Sequence, residues 1–165
     1  MTYYQHEREC QAEVPRRAFN QDLPACSSTW MPDMRKYLSE RHLSMEVALA
    51  NGWYPSVDAG DKQIRIVIPA TATPPNVFWQ ARLIDGQAHL GVSLPIKRYQ
   101  SPHAPRGDAI IAVWPTTPGA ASLAPCGAVV LVEGPMCALA AAELGFTGIA
   151  LMGNSPPHAA WDLTL

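Results

Sequence analysis

Charge of either sign is scarce in this chain: only 16% of its 165 residues are Asp, Glu, Lys or Arg, and the formal net charge is −2. That excludes a broad polycationic surface, so any affinity for nucleic acid must come from a local basic patch. Long apolar runs are missing too. No stretch approaches the roughly 18 residues that a membrane-crossing helix needs, and the first eight residues, MTYYQHER, are polar. Neither a transmembrane segment nor a secretory signal is expected. The four cysteines, Cys10, Cys26, Cys126 and Cys137, contain no C-x-x-C pair, which argues against a zinc ribbon and favours buried thiols in a cytoplasmic protein. The histidines His6, His42, His89, His103 and His158 show no metal-ligand spacing. No G-x-S-x-G elbow, P-loop or G-x-G-x-x-G is present, which removes the commonest hydrolase and nucleotide-binding signatures.

Proline, by contrast, is plentiful: 16 residues, enough to predict short elements joined by extended connections. The length suits one domain, or two small subdomains sharing a core. Residues 1–30 read as an irregular arm with a short helix near 7–12. Pro32 and Asp33 open a helix that places Met34, Tyr37 and Leu38 on one face and Arg35, Lys36, Glu40 and Arg41 outside. Ser44 is a suitable N-cap for a second helix over 45–51, closed by Gly52. The periodicity then changes. Residues 64–70 (IRIVIPA) and 77–84 alternate and are rich in β-branched side chains, so both predict strands. Asp85-Gly86 is a hairpin turn signal leading to a return strand at 88–92. A further strand at 109–114 leads into a Pro/Gly/Ala-rich linker at 115–125. The expected organisation is an arm (1–30), a subdomain of helix pair and antiparallel strands (31–114), the linker (115–125) and a smaller unit (126–165). The fold class is α+β.

That last unit organises the chain. An apolar run at 128–132 ends in Glu133-Gly134-Pro135; a small-residue helix pattern over 136–144 stops at Gly145; a second run over 148–152 ends at Gly153. Buried strand, tight turn, helix, buried strand describes a βαβ unit, and uninterrupted apolar runs predict parallel strands covered on both faces. Glu133 is the unusual residue: a charge placed where the first strand runs out, at the edge where open parallel sheets gather ligands. It is either a metal ligand or acid/base group, or an acid interacting favourably with the helix dipole. Cys137, in the first turn of the same helix, is either a reactive thiol or a small thiol packed under the turn.

VLVEGPMCALAAAELG resembles the first motif of the Toprim domain, above all its form in phage and plasmid primase-like proteins, where it commonly reads VEGPMDALAAA. IALMGNSPP is similar to the family's second strand and glycine loop. Upstream, RIVIP, WQARLIDG and KRYQSP follow one another in the order of basic pieces in the bacterial primase polymerase core. YLSERHLSMEVALANGWY resembles the helical lead-in to that core. The resemblance spans roughly residues 34–157. It implies nucleic-acid or nucleotide contact by Arg65, Arg82, Lys97, Arg98 and Tyr99, and a catalytic, Mg²⁺-binding role for Glu133. Read from spacing alone, the same cations, with Arg106, are scattered surface charges or a patch suited to phosphates and a stacked base.

The family's second acidic motif, D-x-D, is absent. Only Glu143 and Asp162 follow Glu133, Cys137 replaces the usual aspartate, and 12 residues follow Gly153. Mg²⁺ phosphoryl-transfer sites need several carboxylates, so the resemblance is to a Toprim protein cut short after its first motif. Three functions follow as expectations. The first is a phage or mobile-element primase-like protein that binds single-stranded DNA or RNA without polymerising it. The second is a non-enzymatic protein that reuses the scaffold to block or mimic a host replication or defence component. The third is a Mg²⁺-dependent primase or nuclease fragment completed by another chain.

Overall fold

Pro32 and Asp33 lie in the first turn of helix α1, Met31–Ser39, in the computed structural model of the chain, which describes residues 23–59, 63–70, 78–84, 97–102, 109–116 and 128–152. A 3₁₀ turn, Ser28–Trp30, feeds α1, so the helix begins slightly ahead of the expected start. Met34, Tyr37 and Leu38 are its buried face, as spacing of three and four residues requires. Helix α2, Met45–Ala50, follows. Ser44 Oγ accepts from Val47 N at 3.2 Å, and Gly52 ends the turn at φ +75°, a conformation that costs glycine nothing. Ser44→Ala is expected to lower unfolding stability by about 1 kcal/mol, measured by urea denaturation, with Ser44→Gly costing less.

Four strands form an antiparallel sheet in the order β1-β2-β3-β4: Tyr54–Ser56, Arg65–Pro69, Trp79–Leu83 and Tyr99–Gln100. The second sheet has the order β5-β7-β6, from Ile111–Val113, Val129–Val132 and Thr147–Ala150. Between β6 and β7 lies helix α3, Pro135–Glu143, and these two strands run parallel, whereas β5 is antiparallel to β7. The class is α+β, and no helix among the described residues is long and apolar enough to cross a membrane. The main hydrophobic core links the helices with both sheets: Met34, Leu38 and Ala48 from the first helices meet Ile66 and Ile68 of β2, Ile111 and Val113 of β5, and Ala138, Leu139 and Ala142 of α3, while smaller clusters lie on the other faces of the sheets. Glu143, near the end of α3, accepts from the Ser44 backbone N–H, and the Asn51 side chain bonds both N and O of Trp114 at 2.8 and 2.9 Å. The helix pair is thereby pinned to α3 of the βαβ unit and to the end of β5.

Several expectations need correction. Residues 111–113 pair with β7 rather than with the antiparallel sheet, because Ile111 and Val113 bury their side chains beside α3. β1, Tyr54–Ser56, carries no alternation that would mark it as a strand; it exists because β2 offers it a partner edge. Tyr99–Gln100, for which no strand is expected above, forms a short strand, since Arg82 and Ala81 pair with it. The run at 129–132 is not covered on both faces: β6 is the outer strand of its described sheet, and Leu131 is 43% exposed. Cys137 is exposed rather than packed under the turn. The arm through residue 22, the Asp85-Gly86 turn, the return strand at 88–92, Arg106, the linker from 117, the Gly153 loop, and Asp162 lie outside the described residues.

A candidate nucleic-acid cleft between the two sheets

Sheet register decides which basic residues can act together. Ile66 pairs with Arg82 and Ile68 with Gln80, while Arg82 in turn pairs with Tyr99. Directly paired residues share a face, so Gln80, Arg82 and Tyr99 point to one side. Arg65 pairs with Leu83 and belongs to the other side with Val67 and Ala81. There it is fully buried, its guanidinium donating to Lys97 O at 2.9 Å and Ala81 O at 3.2 Å. The expectation that Arg65 meets solvent or a ligand is therefore replaced: its charge is satisfied by backbone carbonyls beneath the sheet.

On the other side, a cleft of about 440 Å³ opens between the sheet and the start of α3, lined by Gln80, Arg82, Arg98, Tyr99, Glu133, Gly134, Pro135, Met136, Cys137 and Met152. Arg82, Arg98, Tyr99 and Glu133 thus meet although they span 52 positions of the chain, from 82 to 133. Lys97 is exposed but does not line the cleft, and contributes its carbonyl to Arg65 instead.

Each lining group has a local reason for its place. Glu133 follows the last residue of β6 and is exposed; Gly134 is the helix N-cap with Pro135 directly after it, where its missing N–H costs no bond. The carboxylate consequently sits at the carboxyl edge of a parallel strand, though of an outer one. Arg82 is only 8% exposed. Its Nε donates to Tyr37 Oη at 2.6 Å, and its guanidinium carbon lies 5.0 Å from the Tyr99 ring centroid and 5.8 Å from that of Tyr37. Arg41 covers the Tyr37 ring at 3.7 Å, completing a stack from helix to sheet in which each guanidinium is within cation–π range of a ring. The Tyr37 contribution was hidden in the sequence by its place on the apolar face of α1, and no motif signal singles it out.

Burial raises the Tyr99 hydroxyl above its ordinary pKa of 10, with the adjacent Arg82 charge opposing that shift. Burial likewise raises Tyr54, whose hydroxyl donates to Pro24 O at 2.9 Å. A tyrosine with a raised folded-state pKa stabilises the fold fully below the unfolded pKa and loses that contribution as pH climbs through the folded value. Ultraviolet titration of the intact protein minus Tyr99→Phe should therefore show a phenol ionising above pH 10, with Tyr99 contributing to loss of stability in that alkaline range. A Tyr99 phenol titrating at or below 10 would contradict the buried placement.

Chemically, two guanidiniums and the positive end of α3 suit phosphate oxygens, an aromatic ring suits a base, and one carboxylate can accept a proton or share a cation. Among the described residues Glu133 is the single carboxylate lining the cleft, and no three His, Cys, Asp or Glu side chains converge as a metal cluster. No protein-family model, curated protein or solved structure matches this chain.

Proposed function

We propose that the cleft binds single-stranded nucleic acid, in the manner of a Toprim-type primase-like protein that has kept the binding groove without a complete catalytic site. The observation that carries this reading is the convergence of Arg82, Arg98 and Tyr99 from one sheet with Glu133 and the α3 N-terminus from the other. Arg98, exposed at the rim, meets a phosphate; Arg82, held between rings, meets a second; Tyr99 offers part of its ring to a base. Mg²⁺ is commonly held by one or two carboxylates together with substrate phosphates. The donor set here fits only an ion that brings phosphates of its own, with Glu133 as the protein's carboxylate, and its chemistry would be to neutralise phosphate charge. Polymerase or nuclease chemistry would need carboxylates beyond Glu133, the one that lines the cleft among the described residues. The exposed free thiols of Cys26 and Cys137 suit a reducing, cytoplasmic setting.

The test is titration of labelled single-stranded DNA and RNA at two salt concentrations. Affinity is expected to be weak, given the net charge of −2, and to fall steeply with salt as phosphate contacts release counterions. Arg98→Ala should weaken binding to all sequences and flatten the salt slope by about one unit. Tyr99→Ala should cost about 1–3 kcal/mol if a base stacks there, with less change in slope. Flat titrations at low salt would retire this reading in favour of a protein-docking scaffold, for which the exposed Trp114, Leu131 and Leu144 are the surface features to test.

A further inference from the structure

Arg65 is the largest polar side chain in the fully buried set, and burying a guanidinium is costly unless its donors are satisfied. Its fork runs beneath β3 and ends on the chain segment that leads into β4. Nη2 donates to Lys97 O at 2.9 Å; Nη1 donates to Ala81 O at 3.2 Å and, at a longer 3.5 Å, to Arg98 O. Arg98 O also accepts from Leu83 N at 2.9 Å. β4 itself contains only Tyr99 and Gln100, too few residues to fix their own direction by ladder bonds. Yet this short segment supplies both Arg98 and Tyr99 to the cleft on the opposite face.

We infer that Arg65 is a positioning residue for the cleft: from the far face of the sheet its guanidinium fixes the main chain at Lys97 and Arg98, and thereby the directions of Arg98 and Tyr99. Its effect on nucleic acid rests on the reading above, but the clamp itself does not. A planar fork with five donors can bridge carbonyls on two strands, whereas the ammonium of lysine is a point donor on a flexible stem. Lysine at 65 therefore keeps the charge and loses the bridge.

The experiment compares the full-length protein with Arg65→Lys by amide hydrogen exchange and by single-strand titration, alone and combined with Arg98→Ala. Exchange at the Leu83 amide, which donates to Arg98 O, should accelerate about tenfold through local opening. The Leu151 amide in the other sheet, which donates to Val132 O at 2.8 Å, should be unchanged. Binding should weaken in Arg65→Lys, and the substitution should add less once Arg98 is already alanine, because the part of its effect that acts through Arg98 is then gone and only the part through Tyr99 remains. Unchanged exchange at Leu83 overturns the proposal. Equal acceleration at Leu83 and Leu151 also overturns it, since that reports general destabilisation, and so do fully additive losses of binding. Local acceleration at Leu83 in a protein that binds no single strand supports the clamp and removes the nucleic-acid reading instead. Should the lysine variant fail to fold, Arg65→Gln, which leaves no charge to bury, is read against the same outcomes.

Discussion

Gly148→Ala is expected to lower the melting temperature by about 10 °C. Gly148 lies in β7, the central strand of its sheet, directly beneath α3. A Cβ there would sit 2.2 Å from Ala138 O, 2.6 Å from its Cα and 2.8 Å from its carbonyl carbon. These are main-chain atoms of a helix, so no rotamer change relieves the overlap; helix and strand must separate. Overpacking of this kind costs about 3 kcal/mol, and in a domain of this size each kcal/mol shifts melting by roughly 2–4 °C. Because the obstruction is backbone, Ala138→Gly in the same background should not rescue it. A thermal melt of the single and double variants decides the matter, and a single variant within 2 °C of the parent would mean that α3 does not pack on β7 this closely.

Arg82→Ala should be the most damaging change to the cleft, reducing stability and binding together. The side chain joins α1 to β3 through the 2.6 Å bond to Tyr37 Oη and lies beside the Tyr99 ring of β4. A hydrogen bond to a charged group contributes about 1.5–3 kcal/mol and a desolvated cation–π contact about 2 kcal/mol. The two share one group and do not add fully, so a loss of about 3 kcal/mol is expected by denaturant titration. Arg98→Ala provides the contrast. That residue is exposed, and its removal should change stability by no more than about 0.5 kcal/mol while still weakening the affinity for single strands. Equal stability losses in the two variants would show that Arg82 is not the joint between helix and sheet. Arg82→Lys should fall between, since it keeps charge but not the planar edge that Tyr37 and Tyr99 engage.

Sequence alone determined the local grammar of this protein. Ser44 and Gly52 bound the second helix because a hydroxyl acceptor and a residue tolerant of positive φ are what helix ends need. Glu133-Gly134-Pro135 marks a strand end turning into a helix because proline suits the first helical position and glycine the approach to it. The spacing of Met34, Tyr37 and Leu38 identifies a buried helix face, and the alternation of 64–70 a strand. All of these are properties of neighbouring residues. Tertiary structure decided everything that depends on which strands pair and in what register. Arg65 and Arg82 look equivalent in sequence, each a cation inside a strand pattern, but pairing Ile66 with Arg82 sends them to opposite faces, one to clamp a backbone and one to line a cleft. A strand has a side-chain period of two, so the shift of a single register position exchanges those roles. No local rule specifies that shift. The run at 129–132 likewise announces a strand by its composition, but its place at the outside of the sheet among the described residues, half-exposed instead of enclosed, depends on whether a neighbour pairs with it. The cleft belongs to the same class of facts: Glu133 and Arg82 are brought to facing walls of one cleft by the shared core beneath them, because burying apolar surface from both sheets at once is what fixes their separation.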